Sequence, residues 1–192
     1  IFSLYHLYNR AVLFLMPPTY QGLGITYSMN AGEAISCSGN PPEDLLNEIY
    51  GVELTCFKDP YPPRLLLYYV RLAPDLFIVC RSNEKIVGYA IGVIENYGRT
   101  GHVVSICVHK DHRRKGVGRI LMETLEKLFI EKGAIEAKLE VRVSNEPAIN
   151  LYRSMGYTIA NIYHSYYSDG EDAYIMIKSL SKTRNVSPRY IS

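Results

Sequence analysis

One stretch of the sequence, residues 102–133, constrains the fold more than any other. It begins with the apolar run HVVSICV, continues through the basic glycine loop HKDHRRKGVG, and enters a helix in which Ile120, Leu121 and Leu125 recur at helical spacing. A second strand-like run, AKLEVRV, follows at 137–143. A strand–helix–strand unit of this kind predicts two parallel strands joined by a right-handed crossover.

The rest of the chain supplies further strands and helices around this unit. Their order is strand, two helices, three strands, helix, strand, helix and hairpin, which predicts a single α/β (α+β) domain. The periodicities and turn signals place strands at 33–37, 76–80, 85–95, 102–108 and 137–143, helices within 40–53, 64–72, 117–133 and 145–156, and a hairpin over 157–180.

The chain divides into three parts at this level. We expect an N-terminal extension at 1–32, a domain at 33–180 and a basic polar tail at 181–192. The apolar run AVLFLM at 11–16 is too short to cross a bilayer, so no membrane role is expected.

Charge and cysteine content limit the classes of function. The net charge of the 192 residues is only +2, whereas nucleic-acid-binding domains carry a basic excess over the whole domain. The four cysteines, Cys37, Cys56, Cys80 and Cys107, are widely spaced and form no CxxC pair. We therefore expect free thiols, no disulfide framework, no metal site and a reducing, cytoplasmic location.

The basic glycine loop has the composition of an anion site. The first amides of a helix are free donors, the helix dipole adds partial positive charge, and Gly116 and Gly118 allow a ligand to approach the backbone closely. The loop is not a P-loop, because GxxxxGK[ST] is absent, and it is not a dinucleotide fingerprint, because Leu121 occupies the third glycine position. On the loop alone, a solvated basic turn at a helix start is an equal alternative.

A family resemblance favours the anion site. The segment ICVHKDHRRKGVGRILM resembles the acetyl-CoA motif [RQ]-x-x-G-x-[GA] of the GCN5-related N-acetyltransferase (GNAT) superfamily, here Arg113, Gly116 and Gly118. The segments LEVRVSNEPAINLYRSMGY, GHVVSI and YYSDGEDAYIM resemble the branch that acetylates protein N-termini, which includes ribosomal-protein alanine N-acetyltransferases and archaeal-type N-α-acetyltransferases. The resemblance covers roughly residues 34–180.

The resemblance implies a fold and a cofactor site. The fold is a mixed, mostly antiparallel sheet with one parallel crossover and about four flanking helices, and the cofactor is acetyl-CoA without a metal. The strand before the loop holds the acetyl and pantetheine arm, the loop holds the pyrophosphate, and a later helix adds further contacts. By this resemblance the cofactor-binding residues are Ile106, Cys107, Val108, Arg113, Arg114, Lys115, Gly116, Val117, Gly118, Arg119, Asn145 and Tyr152.

Three residues are candidates for the chemistry. Glu140 lies on the strand after the cofactor helix, and the resemblance makes it the base that accepts the proton of the amine through water. By the same resemblance His102 shares that water, and Tyr152 protonates the departing thiolate. Without the resemblance, Glu140 belongs to an alternating polar face and Tyr152 to an ordinary core.

Four aromatic residues are candidates for the peptide site. The resemblance places Phe57 and Tyr61 at the pocket for the first side chain, where they favour small or apolar residues, and Tyr166 and Tyr167 along the peptide backbone. The implied function is acetyl-CoA-dependent acetylation of protein N-termini, with direct attack of the amine on the thioester. Two alternatives stay open: acetylation of lysine or a small amine on the same fold, and a ribosome- or RNA-binding module that uses the basic loop and tail.

Overall fold

The structure, a computed structural model, describes residues 25–28 and 34–180. In this part of the chain there are eight strands: β1 (Ile25–Ser28), β2 (Ala34–Gly39), β3 (Phe77–Ser82), β4 (Lys85–Glu95), β5 (Thr100–Val108), β6 (Glu136–Arg142), β7 (Thr158–Tyr163) and β8 (Ala173–Ser179). The same residues form four α-helices: α1 (Leu46–Glu53), α2 (Pro63–Leu72), α3 (Val117–Glu131) and α4 (Glu146–Ser154).

The strands form one sheet in the order β1-β2-β3-β4-β5-β6-β8-β7. Every neighbouring pair is antiparallel except β5 and β6, which are parallel and joined through α3. The predicted fold class, the crossover and the final hairpin are therefore confirmed. β1 lies within the range assigned to the N-terminal extension and pairs with β2. The remainder of that extension and the tail at 181–192 lie outside the described residues.

Helices cover both faces of the sheet, so each central strand has two buried sides. On one face, Tyr89 and Ile91 of β4 belong to a core with residues of α1 and α2. On the other face, Ala90 of β4 packs in a larger core with residues of α3 and α4, including Leu121 and Tyr152. No helix among the described residues is long and apolar enough to span a bilayer.

A bulge between β4 and β5 sets which side chains of β5 face α1 and α2. Val103 pairs with Gly92 and Ser105 with Ile91, so Val104 has no direct partner on β4. The extra residue reverses the alternation beyond it. As a result, His102 before the bulge and Cys107 after it both lie on the face that α1 and α2 cover.

The cysteine prediction is wrong, because all four cysteines are paired. Cys37 and Cys80 are direct partners on β2 and β3, and Cys56, which follows α1, is bonded to Cys107 of β5. The partners are separated by 43 and 51 residues in sequence. Spacing along the chain gave no sign of them, since the sheet register and the packing of α1 bring the sulfurs together.

We expect Gly101→Ala to destabilise the domain strongly. A Cβ on Gly101 would lie 2.2 Å from ring atoms of Phe129 on α3, which is itself fully buried. Overpacking of this kind costs about 1–3 kcal/mol, which chemical denaturation would measure as a lower free energy of unfolding. Gly51→Ala is the control, because its site in α1 is open and a helical alanine is favoured. Equal effects of the two substitutions would contradict this packing.

We also expect the native protein to contain no reactive thiol. Alkylation in denaturant without reductant should leave the mass unchanged, whereas alkylation after reduction should add four groups. Mass spectrometry of the two samples measures this directly. In the chain-entropy model, the Cys56–Cys107 bond stabilises by roughly 4 kcal/mol, so replacing both residues by serine should lower the unfolding free energy. Four adducts without reductant would contradict both disulfides.

Candidate active site

The parallel strands β5 and β6 separate part of the way along their length. Their pairing runs from Thr100 with Glu136 to Val103 with Leu139 and stops there, although β5 continues to Val108 and β6 to Arg142. β6 remains paired with β8 over its whole length. The separation opens a gap, and the strand residues predicted to hold the cofactor, 106–108, line one side of it.

The basic loop leads from β5 to the start of α3. Gly116 is the N-cap, with φ +85° and no side-chain cap, and the first backbone bond into the helix runs from Ile120 N–H to the Gly116 carbonyl. The amides of Val117, Gly118 and Arg119 precede that bond and are donors without a helical acceptor. Gly118 is small for a packing reason, since its Cβ would lie 3.2 Å from Leu151 of α4. The arrangement suits an anion.

The arginines of the loop have protein partners of their own. Arg113 donates to the carbonyls of Val108 and Thr55, at 3.0 Å each, and so ties the loop to the residues after α1. Arg119 donates to Ser154 Oγ at 2.6 Å. Arg114 and Lys115 are exposed. Contacts of these four side chains with a cofactor stay a prediction.

Four ionisable side chains, linked in a row by hydrogen bonds, lie beside the point where β5 and β6 separate. His102 Nε2 is 2.7 Å from Glu140 Oε2, and His102 Nδ1 is 2.8 Å from Glu95 Oε1. Lys138 donates to Glu95 Oε2 at 2.8 Å. Lys138 and Glu140 are two residues apart on β6 and share a face with His102, which pairs with Lys138. The structure thus brings together Glu140 and His102, the two residues that the resemblance implied would share a water.

Hydrogen bonds within this row of side chains shift the pKa values of His102 and Glu95. Burial lowers the pKa of His102, but hydrogen bonds to Glu140 and Glu95 outweigh it, so the pKa lies above its usual value. The hydrogen bond from His102 lowers the pKa of Glu95 to about 2, with help from Lys138 and against the effect of burial. Glu95 is therefore ionised throughout the neutral range.

Tyr152 lies inside the core between the sheet and α3. It is on α4 and only 5% exposed, and its ring centroid is 6.0 Å from that of Tyr157. Burial, with a smaller contribution from Tyr167, raises its pKa well above the usual value for a phenol. Tyr152 is thus a proton donor and not a base at neutral pH. Asn145 is the N-cap of this helix, and its Oδ1 accepts the Ala148 amide at 3.3 Å.

Two loops cover the same face of the sheet as His102. The first follows α1 and carries Phe57, which is 38% exposed, and Tyr61, and the second joins β7 to β8 and carries Tyr166 and Tyr167. Burial raises the pKa of Tyr61, and Tyr69 and Tyr166 add to the effect. The Ser168 hydroxyl donates to the Asp59 carboxylate and joins them directly.

Arg142 at the end of β6 holds the second loop in place. Its guanidinium donates to Asp169 at 2.9 Å and Glu171 at 2.7 Å and lies 3.8 Å above the centre of the Tyr167 ring. Glu171 also accepts the Ser144 amide at 3.0 Å. The predicted peptide-binding tyrosine is therefore fixed by the strand that carries Glu140.

A buried carboxylate holds the first loop. Glu53, at the end of α1, is 1% exposed and accepts the Tyr61 amide at 2.6 Å and the phenol of Tyr89. Burial raises its pKa, against the effect of those two hydrogen bonds. Tyr89 in turn contacts Ser105 at 3.2 Å.

Sequence reasoning missed Glu95, Glu53 and Arg142. Glu95 is the last residue of a predicted strand, and nothing in its local pattern shows that it faces His102, because that depends on the register of β4 with β5. A carboxylate at the end of an apolar run was the available signal for Glu95 and for Glu53. Within the described residues, no cluster of His, Cys, Asp and Glu is suited to a metal ion.

Comparison with known proteins identifies a family to which the chain is similar. The model of the acetyltransferase (GNAT) family matches residues 44–157. An uncharacterized N-acetyltransferase of Methanocaldococcus jannaschii is 38% identical over 134 residues, which is 69% of this chain and 85% of the relative. An N-alpha-acetyltransferase of Sulfurisphaera tokodaii is 34% identical over 146 residues, 70% of this chain and 87% of that protein.

A solved structure shares the fold. The crystal structure of Ard1 from Thermoplasma volcanium superposes with a TM-score of 0.73 at 26% identity, covering 77% of this chain and 99% of that one. Together with the family match over more than half of the sequence, these likenesses show that the chain belongs to the GNAT acetyltransferase family.

Proposed function

We propose that the protein transfers the acetyl group of acetyl-CoA to the α-amino group of protein N-termini. The observation that carries the proposal is the pairing of His102 with Glu140 at 2.7 Å, beside the gap between β5 and β6. The name of the Sulfurisphaera tokodaii relative, N-alpha-acetyltransferase, supports the choice of acceptor.

The residues around the gap suit the cofactor. The free amides at the start of α3 fit a pyrophosphate, and the part of β5 beyond Val103, unpaired with β6, offers backbone groups to an extended amide-containing arm. Acetyl-CoA would supply an activated acetyl thioester there. We assign the arm to 106–108 and the pyrophosphate to 113–119, with Asn145 and Tyr152 as further contacts.

The proton of the amine is proposed to pass to Glu140 through water. An α-amine has a pKa near ~8, so roughly a tenth is already neutral at pH 7 and a modest base is sufficient. Glu140 is 12% exposed and hydrogen-bonded to His102, which can share the proton. The neutral amine then attacks the thioester carbonyl directly, the nitrogen gives up its second proton through the same water, and the C–S bond breaks to release coenzyme A.

Tyr152 is proposed to act at the leaving sulfur. Its buried phenol keeps its proton across the neutral range and can donate it to a developing thiolate. Because its pKa lies well above the ~8.5 of an ordinary thiol, the hydrogen bond to the sulfur is the main contribution and complete transfer is uphill.

The acceptor is proposed to be a slender chain end with a small or apolar first residue. The hydrogen bond from Ser168 to Asp59 and the stacked Arg142 and Tyr167 fix the two covering loops, which suits an extended N-terminus. Phe57 and Tyr61 form the pocket for its side chain, and Tyr166 and Tyr167 contact its backbone.

Location and ribosome proximity are finer points of the proposal. The cytoplasmic location was argued from free thiols, and the two disulfides remove that argument. Disulfides also occur in intracellular proteins of hyperthermophiles, so they do not contradict a cytoplasmic site. We retain the cytoplasm because nascent N-termini emerge there, and proximity to ribosomes follows from the same reasoning.

We expect Glu140→Gln to reduce kcat by about 100-fold or more, because general-base catalysis typically contributes that much. The KM for acetyl-CoA should change little, since Glu140 is on the acceptor side of the gap. Glu136→Gln removes the same charge from the same strand and is the control. Steady-state kinetics and calorimetric binding of coenzyme A separate the two effects. An unchanged kcat would remove Glu140 from the role of base.

We expect coenzyme A release only with peptides that have a free N-terminus. Peptides beginning with Ser, Ala, Met-Leu and Glu should be compared with an N-blocked peptide that contains an internal lysine. Small and apolar first residues should react fastest, because Phe57 and Tyr61 offer an apolar pocket. Release with the lysine peptide alone would support the side-chain alternative on the same fold.

A further inference from the structure

Glu95 and Lys138 lie behind the proposed catalytic pair and need not touch an acceptor to influence it. We propose that Glu95, held in place by Lys138, is a positioning residue that keeps a proton on Nδ1 of His102 and so directs Nε2 to Glu140 and sets the strength of the pair as a base. The inference rests on the proposed function and adds two residues to it.

The hydrogen-bonding geometry fixes the state of the imidazole. A carboxylate oxygen lies within 2.8 Å of each ring nitrogen, and an ionised carboxylate can only accept. A neutral imidazole has one N–H and can satisfy only one of the two carboxylates. The carboxylate that is more rigidly held therefore determines which nitrogen carries the proton.

Glu95 is the more firmly held of the two carboxylates. Its Oε1 contacts His102 and its Oε2 accepts from Lys138, so both oxygens are engaged. Lys138, on β6, is 28% exposed and forms an ion pair with Glu95. This contact holds the Glu95 carboxylate against rotation. Within the described residues, Lys138 is hydrogen-bonded to Glu95 and not to Glu140. A neutral His102 is therefore expected to be protonated at Nδ1.

Glu95 does not take the proton itself. Its pKa is about 2, chiefly because His102 donates to it. A proton accepted at the Glu140 end thus stops at Nε2 of His102, and Glu95 stabilises the resulting imidazolium. The charges agree: Glu95, Glu140 and Lys138 sum to −1 with a neutral imidazole and to zero with an imidazolium.

The other titratable groups that face these four residues are tyrosines. Tyr69 of α2 interacts with Glu95, Tyr166 of the loop after β7 with Glu140, and Tyr163 of β7 with Lys138. All three are phenols, and burial raises the pKa values of Tyr69 and Tyr166 further. The pH dependence of this cluster near neutrality is therefore assigned to His102.

The decisive variant is Glu95→Gln, which keeps an acceptor for Nδ1 and removes the charge. An adjacent carboxylate raises the pKa of a histidine, so its loss should lower the pKa of His102 by about one unit. The rising acid limb of the kcat profile should move to lower pH by the same amount, and kcat on the plateau should fall about 10-fold because the base is weaker. The KM values should change less than 2-fold, a threshold set roughly by assay error.

Two further variants separate charge from shape. Glu95→Asp retains the carboxylate and should keep the pKa of His102 and the acid limb closer to wild type than Glu95→Gln does. Glu136→Gln removes one negative charge from the neighbouring strand β6 and should leave both unchanged. Thermal unfolding of each variant checks that the fold is retained.

NMR titration of His102 in the free protein makes the test independent of activity. The 15N shifts of the wild-type ring at high pH should show a proton on Nδ1, and a proton on Nε2 there would overturn the proposal without any variant. Overturning results also include an unchanged His102 pKa in Glu95→Gln, or a shifted pKa with an unchanged kcat profile. If no peptide is acetylated by the wild type, the proposed function fails, whereas the titration still reports on Glu95 and His102.

Discussion

The early end of the pairing between β5 and β6 is the constraint on which the site depends. Beyond Val103 and Leu139 the two strands no longer share hydrogen bonds, although each stays paired on its other side, β5 with β4 and β6 with β8. The sheet can therefore open between β5 and β6 while both strands remain hydrogen-bonded to their other neighbours. Glu140 is the first β6 residue past this point, so the proposed base lies where backbone groups become available to a ligand.

The polar groups of the site gather on the face of the sheet opposite α3. The α3 side of the sheet is filled by large apolar side chains, with Phe129 packed against Gly92 and Gly101. On the opposite side, α1 and α2 pack with residues of β3, β4 and β5, and the two loops joined by Ser168 and Asp59 lie on the same face. Four ionisable residues lie there half-buried, and each carboxylate contacts a basic side chain. Glu140 contacts His102, and Glu95 contacts both His102 and Lys138.

Local sequence pattern was sufficient for most of the helices and strands. The crossover and the helix start at Gly116 follow from runs of apolar residues and from glycines, whereas Glu140 and His102 were singled out only by the family resemblance. Glu95 and the disulfides could not be predicted in this way. Both depend on which residues of distant strands are opposite each other, and the bulge at Val104 changes that register by one residue in the middle of β5. A single strand does not reveal where its neighbour will skip a residue.

The Cys56–Cys107 bond joins the loop that carries Phe57 and Tyr61 to the strand that lines the gap. Arg113 fastens the same loop through the Thr55 carbonyl, and Glu53 fastens it through the Tyr61 amide. A loop held at both ends has few conformations left to lose when a peptide arrives. The conformational entropy of this loop is already lost during folding, so binding does not have to pay for ordering it. More of the contact energy with the first side chain of a peptide can then contribute to the difference in affinity between N-termini.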